Sequence, residues 1–241
     1  MKIIDAYWEK RNLGVDSKEF VLEDSDTVES LSAIKDSMKS VGYMVVKVPV
    51  ARLDIYEELS RLGFVYVESS VHFQVKLHEA QLTPLQERLN AAVSYEEMDS
   101  SDLEQLYKEL DNGLFDTDRI VLDPYFSKEQ AAIRYRNWIN DELSKGTKVY
   151  KIVYKKEAIG FFTFKKTAPG VFYPFLAGLY KNHTAGGLGF SIIRKPIEEA
   201  IKRGGSAIST YVSSNNLPVV RVHLQQGFVI NDIKNIFVKH N

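Results

Sequence analysis

Hydrophobic positions along the chain switch between a period of two and a period near 3.6, and the switches mark the elements. EFVLED (Glu19–Asp24) alternates like a short strand. From Asp26 to Ser40, Val28, Leu31, Ile34 and Met38 fall on one helix face, with Gly42 placed to end that helix. Tyr43 to Val50, YMVVKVPV, reads as a buried strand. Ile55, Leu59 and Leu62 mark a short helix closed by Gly63, and Phe64 to Leu77 alternates again. Residues 78–92 are polar, carry Thr83-Pro84 and read as a connection. A second series opens with a strand from Val93 to Met98 and a helix over Asp102–Leu110, with Ser101 as its cap. After the loop-like DNGLFDTDRIVLDPYF, a helix over Lys128–Leu143 puts Ala132, Tyr135, Trp138 and Ile139 on a common face. Val149–Tyr154 and Ile159–Lys165 flank KKEA as a hairpin, and Val171 to Leu179 supplies one more strand.

That last strand runs into a glycine-rich turn. Ala185, Gly186, Gly187 and Gly189 sit where a helix bearing Phe190, Ile193, Ile197 and Ile201 on one face begins. Small residues there let a backbone approach a ligand, and first-turn N–H groups without intrahelical partners suit a phosphate. An ordinary strand-to-helix connection would look the same in isolation. Pro196 lies inside this helix, where proline costs about 3 kcal/mol, so a kink or a shortened helix is expected.

The order helix–strand–helix–glycine–strand occurs twice. Gly63-Phe64 and Gly227-Phe228 are 164 residues apart, and at that offset Ile55 meets Val219, Leu59 meets His223 and Phe73 meets Phe237. This suggests a duplicated half-fold. The N-terminal copy passes from strand to helix through EDSDT, with no glycine turn, and reads as structural.

Composition removes several function classes. The 241 residues, 44% hydrophobic, suffice for a packed core. A net charge of −1 argues against a nucleic-acid partner. No run approaches a membrane span and MKIIDAYWEKRN is too charged for a signal peptide, so a cytoplasmic protein is expected. Without cysteine there is no disulfide or cysteine nucleophile, and five scattered histidines make no metal pair, so no metal is expected.

The glycine turn and the stretch SAISTYVSSNNLPVVRVHLQQGF (Ser206–Phe228) together resemble the acetyl-CoA-binding core of the GCN5-related N-acetyltransferases (GNAT). Gly187-Leu188-Gly189 match the end of that family's Q/R-x-x-G-x-G/A pattern. Asn216, Gly227 and Phe228 match N-x-x-A-x-x-x-Y-x-x-x-G-F, while Thr184 and His223 depart from the Gln/Arg and Tyr positions. The resemblance implies an α/β (α+β) fold with a mixed, largely antiparallel sheet flanked by helices. It gives a GNAT domain over 93–241, a linker over 81–92, and a small N-terminal α/β domain over 1–80 like a degenerate GNAT half without a CoA cradle.

The same resemblance implies acetyl-CoA as cosubstrate. Its pyrophosphate would lie on the backbone of Thr184, Ala185, Gly186, Gly187, Leu188 and Gly189, and its pantetheine amides near Asn216. The strand backbone at Leu179, with Ala177 and Tyr180, would polarise the thioester carbonyl. His223 would stand in for the tyrosine that protonates the leaving thiolate, or pack as Leu59 does in the first copy. Asn216 also reads as a helix cap. No Asp or Glu lies between Ala168 and Gly189, so a base is left to Tyr173, Tyr180, Tyr211 or water; each tyrosine equally fits a wall or core position.

For the acceptor, FDTDRIVLDPYF, YRNWIND and YWEKRNLG resemble the sugar-nucleotide N-acetyltransferases of the dTDP-fucosamine type. That implies a small-molecule amine, a dTDP-amino sugar, near Asp116, Arg119 and Tyr125, with a homodimer left open. Two alternatives stand beside it: an amino acid, polyamine or protein amine as acceptor, or a non-catalytic acyl-CoA-binding module.

Overall fold

The computed structural model describes residues 1–184 and 186–241. Its N-terminal half comprises β1 (Lys2–Asp5), α1 (Trp8–Leu13), β2 (Ser17–Val21), α2 (Ser32–Ser37), β3 (Tyr43–Pro49), α3 (Leu53–Arg61) and β4 (Val65–Lys76). There follow α4 (Pro84–Asn90), β5 (Val93–Glu97), α5 (Ser100–Asp111), α6 (Arg119–Leu122), α7 (Lys128–Leu143), β6 (Lys148–Tyr154) and β7 (Glu157–Ala168). The chain closes with β8 (Val171–Tyr173), β9 (Ala177–Leu179), α8 (Ser191–Lys202), β10 (Ala207–Ser213), α9 (Leu217–Gln225) and β11 (Val229–His240).

One continuous sheet runs in the order β1-β2-β3-β11-β4-β10-β8-β7-β6-β5, with β9 beside this path on β7. Among the described residues only β2–β3 and β8–β10 pair in parallel. This is the mixed, largely antiparallel α/β architecture that the sequence predicts. The two halves are not laid side by side. Each half's last strand crosses over: β4 pairs with β10, and β11 pairs with β3, while β4 and β11 pair with each other at the centre.

The register carries the 164-residue repeat residue by residue. Exchanging each residue for its counterpart turns Ser69↔Asn235 into Val71↔Ile233, Glu68↔Ile236 into His72↔Asp232, and Tyr66↔Phe237 into Phe73↔Ile230. Ser70↔Lys234 maps onto itself and marks a pseudo-two-fold axis. The two β-bulges, at Ile230/Asp232 and Ile236/Phe237, are counterparts as well. Gly63 and Gly227 both hold φ in the left-handed region, +83° and +85°, which ends the preceding helix and launches the exchanged strand.

Period-two alternation decides what each face of the central strands meets. Val71, Phe73 and Val75 of β4 enter the core beneath α8, with Ile193, Ile197 and Phe228. Leu31, Ile55, Leu59 and Phe237 build the matching core of the N-terminal half. On the opposite face α5, α6 and α7 pack Leu106, Ile120 and Ile139 against Ile236 and Val238.

Several expectations need correction. The polar connection contains α4, capped by Thr83 and Gln86 acting reciprocally with Pro84 in the first turn. Asp99, not Ser101, caps α5: its carboxylate accepts the N–H groups of Ser101 and Asp102 at 2.8 and 3.0 Å. The helix expected over 26–40 is a 3₁₀ turn, Val28–Leu31, followed by α2. Pro196 does not shorten α8, which runs twelve residues through it. The strand expected over Val171–Leu179 is broken into β8 and β9, because Pro174 has no N–H to continue the ladder.

Candidate active site

That break opens the sheet. β8 and β10 pair only at Val171↔Ala207 and Phe172↔Ile208. The Thr210 hydroxyl still reaches the Pro174 carbonyl at 3.2 Å, and then the chain leaves β10 for β7. Leu176 exchanges hydrogen bonds with Thr163, and the Tyr180 N–H donates to the Ile159 carbonyl at 2.8 Å. Antiparallel alternation therefore turns the N–H groups of Ala177 and Leu179 away from β7, toward the side β10 has vacated. The Leu179 N–H thus makes no ladder bond to β7, whereas the Tyr180 N–H is occupied by Ile159.

The glycine turn stands at the end of this gap. Lys181–His183 form a 3₁₀ turn, and the Thr184 hydroxyl donates to the Lys181 carbonyl at 3.0 Å. Ala185 lies outside the described residues. Cβ atoms built on Gly187 and Gly189 would meet nothing within 4 Å, and one on Gly186 nothing nearer than 4.0 Å. The surface before α8 is thus backbone with free space above it. Leu188 is buried beneath, and the Gln226 amide donates to the Phe190 carbonyl at 2.9 Å, tying the turn to the end of α9. Asn216 caps α9 by accepting the Val219 N–H at 3.3 Å.

A cleft of about 720 Å³ runs through the opening and draws on both layers. Ile192, Ile193, Val219 and Phe228 give it an apolar wall under α8 and α9, reached also by Asn216 and Ala177. From the other layer come Glu68, Asp118, Arg119, Tyr135, Trp138 and Tyr173. The glycines do not line this cleft; they adjoin it through the first turn of α8.

His223 lines the cleft at the counterpart of Leu59. It is 6% exposed, stacked on Phe73 at a ring distance of 4.9 Å and met edge-on by Phe228 at 4.8 Å. Burial pushes its pKa down to about 4, although the Nδ1 bond to the Val219 carbonyl at 2.8 Å works the other way. At neutral pH the ring is neutral with its proton on Nδ1, leaving Nε2 bare. Of the three expected acceptor contacts, Arg119 alone reaches the cleft, and its guanidinium is paired with Glu19 at 2.8 Å and Glu9 at 3.7 Å. Burial raises the Glu19 pKa, but Arg119 and Lys47 together hold it down to about 2. Asp116 is exposed and Tyr125 stacks on His240 at 3.9 Å, both away from the cleft. Burial raises the phenol pKa of Tyr173, Tyr180 and Tyr211, so all three hold their protons.

The residue that sequence reasoning missed is Glu68. Its side chain projects from β4 into the cleft, is 5% exposed, and its Oε2 has no hydrogen-bond partner among the described residues. Burial pushes its pKa up, with Ser213 and the Arg119 guanidinium acting in the opposite sense. Beside it Asp118 caps α6 through the N–H groups of Ile120 and Val121 and accepts the Tyr135 hydroxyl. The available signal was the polar face Glu68, Ser70, His72 on a strand whose other face is apolar. A solvent-facing strand has the same pattern.

Comparisons with known proteins agree with this geometry. Residues 105–228 match the Acetyltransferase (GNAT) family. No curated protein matches the sequence. Among solved structures, a functionally unknown conserved protein from Staphylococcus epidermidis aligns with a TM-score of 0.65 at 13% identity, covering 94% of this chain and 85% of its own. A GCN5-related N-acetyltransferase from Sphaerobacter thermophilus gives 0.63 at 11% identity, over 93% and 73%. A tandem GNAT protein from the clavulanic acid biosynthesis pathway gives 0.58 at 11% identity, over 94% and 76%. At such identities these likenesses speak for the fold, and they extend it over both halves. The family match spans half the chain and contains the opened strands, the glycine turn and Asn216, and on that ground the chain belongs to the GNAT acetyltransferase family.

Proposed function

We propose that the protein is an acetyl-CoA-dependent N-acetyltransferase acting on a small primary amine. The observation that carries this reading is the gap between β8–β9 and β10, which ends under the open glycines before α8. The gap suits the pantetheine arm. Backbone N–H groups of Gly186, Gly187 and Gly189 suit the pyrophosphate, and the Leu179 N–H suits the thioester oxygen as negative charge develops there. Asn216 lines the cleft, and among the described residues its amide nitrogen has no partner while Oδ1 caps α9. Thr184 contributes no charge, but backbone contacts do not depend on it.

A neutral, Phe-stacked His223 suits the apolar wall better than proton donation. The thiolate then receives its proton from the attacking nitrogen. A nucleotide-linked amino sugar is the narrower proposal for the acceptor. It rests on the sequence resemblance and on aromatic walls, Trp138 and Phe175 at 5.1 Å, that suit a ring. Release of CoA from acetyl-CoA, followed against dTDP-amino sugars, free amino sugars, amino acids and spermidine, tests both levels. Turnover with any amine supports the enzyme, and inhibition by thymidine nucleotides supports the narrower acceptor. An absence of turnover with acetyl-CoA bound favours a binding module.

A further inference from the structure

At the centre of the sheet, on the side covered by α5, α6 and α7, four adjacent strands turn polar. β4 presents Glu68, Ser70 and His72, β11 presents Asp232 and Lys234, β10 presents Ser213, and β3 presents Lys47. A covered sheet face is normally apolar, as it is a few residues away at Ile236 and Val238. Most of this patch is satisfied internally. Lys47 pairs with Glu19 at 2.7 Å, Lys234 donates to the Leu22 carbonyl at 2.9 Å, His72 bonds Ser209 at 2.7 Å, and the Ser213 hydroxyl donates to the Thr117 carbonyl at 3.0 Å. Among the described residues the Glu68 Oε2 is the exception. A buried carboxylate oxygen without a donor costs free energy unless a ligand supplies one.

Resting on the acetyltransferase reading above, we infer that Glu68, delivered by the exchanged strand of the N-terminal half, binds the acceptor's ammonium group and takes its proton. The N-terminal half is thereby part of the active site, and the base absent from the strands around the glycine turn is supplied from outside them. The chemistry closes without another group. Glu68 removes one proton from R–NH₃⁺ and frees the nitrogen lone pair. The C–N bond forms, the C–S bond breaks, and the departing thiolate takes a second proton from the nitrogen, giving the acetamide and CoA. The charges that face Glu68 are Asp118 and Arg119 at the start of α6, with the protonated Tyr135 from α7 and, farther out, Asp232 and Lys234 from β11. Arg119 pairs with Glu19 and Glu9 and also attracts Glu68 through space, with its own Nε unpartnered among the described residues; the Glu68 Oε2 still has no donor and is open to a substrate cation.

The test compares wild type, Glu68→Gln and Glu68→Asp by calorimetric titration with acetyl-CoA and by turnover of the same amine panel from pH 5 to 9. The expected result is unchanged acetyl-CoA affinity, a loss of roughly 100-fold or more in turnover for Glu68→Gln, and disappearance of the acidic limb of the pH profile. Glu68→Asp should recover part of the rate and keep a shifted limb. A Glu68→Gln enzyme within threefold of wild type, with the same pH profile, overturns the inference, as does a lower melting temperature with that profile intact. Wild type that binds acetyl-CoA but acetylates no amine also overturns it, while leaving the CoA site standing. Failure to bind acetyl-CoA overturns the reading beneath it.

Discussion

The two halves of the sheet share a register and differ at one connection. In the N-terminal half Ser17 pairs with Tyr43, 26 residues on, and β2 and β3 stay together over five pairs. In the C-terminal half Val171 pairs with Ala207, 36 residues on, and β8 and β10 part after two. The longer connection holds Pro174, β9 and the glycine turn. Where the second half presents bare backbone, the first supplies its own anion: Asp26 accepts the Glu23 N–H at 2.8 Å and pairs with the chain's terminal ammonium. Thr27 and Ser30 cap the short helix that follows. One half-fold can thus be closed or open, and the connection decides which. The closed half still contributes to the cleft, through Glu68.

The largest expected effect comes from separating the halves. Arg119→Met removes the cation that Glu9 and Glu19 share, leaving Glu9 to Arg134 and Glu19 to Lys47, and should cost up to about 3 kcal/mol in denaturant unfolding. In wild type the depressed Glu19 carboxyl stabilises the fold above the unfolded carboxylate pKa near 4.5, and that stabilisation fades as pH falls toward 2. An Arg119→Met protein as stable as wild type at pH 7 would mean the halves hold together without this cluster.

His223→Leu installs the residue the first half uses. The native ring stays neutral down to about pH 4, whereas the unfolded ring protonates below about 6.5. Wild type should therefore lose on the order of 3 kcal/mol between pH 6.5 and 4, and the variant should be spared that loss. Parallel stability curves would show that burial does not control this ring. Turnover should remain within threefold of wild type; a drop beyond tenfold would return His223 to the role of acid.

A smaller difference should separate the two hinge glycines. Alanine at either Gly63 or Gly227 is strained by positive φ, at about 1–2 kcal/mol. At Gly227 the new Cβ would also lie 2.8 Å from the Glu79 carbonyl oxygen, whereas at Gly63 it meets only the mobile end of Lys239 at 3.0 Å. Gly227→Ala should melt lower than Gly63→Ala. Equal melting temperatures would put the whole cost in φ.

Local signals read well from sequence because their causes are local. The glycine turn, the Asn216 cap, the hinge glycines and the full span of α7 follow from spacing and backbone preference. The break at Pro174 was equally local, since a proline inside a strand pattern cannot complete the ladder. Glu68 was not legible. Its strand alternates as a solvent-facing strand does, and only pairing with β10 and β11, far along the chain, puts its polar face at the centre of the sheet. Arg119 shows the same limit from the other side: its loop suggested a ligand contact, but the partners that occupy it lie a hundred residues earlier, on α1 and β2.

The most direct test is calorimetric titration with acetyl-CoA of wild type beside Gly189→Val. Position 189 has ordinary φ and empty space around it, so valine should leave the melting temperature nearly unchanged while filling the room the pyrophosphate needs. One acetyl-CoA per chain, with affinity at least roughly tenfold weaker in the variant, a change of about 1.4 kcal/mol, is the result this account predicts. Two sites per chain, no binding, or equal affinity in both proteins would contradict it.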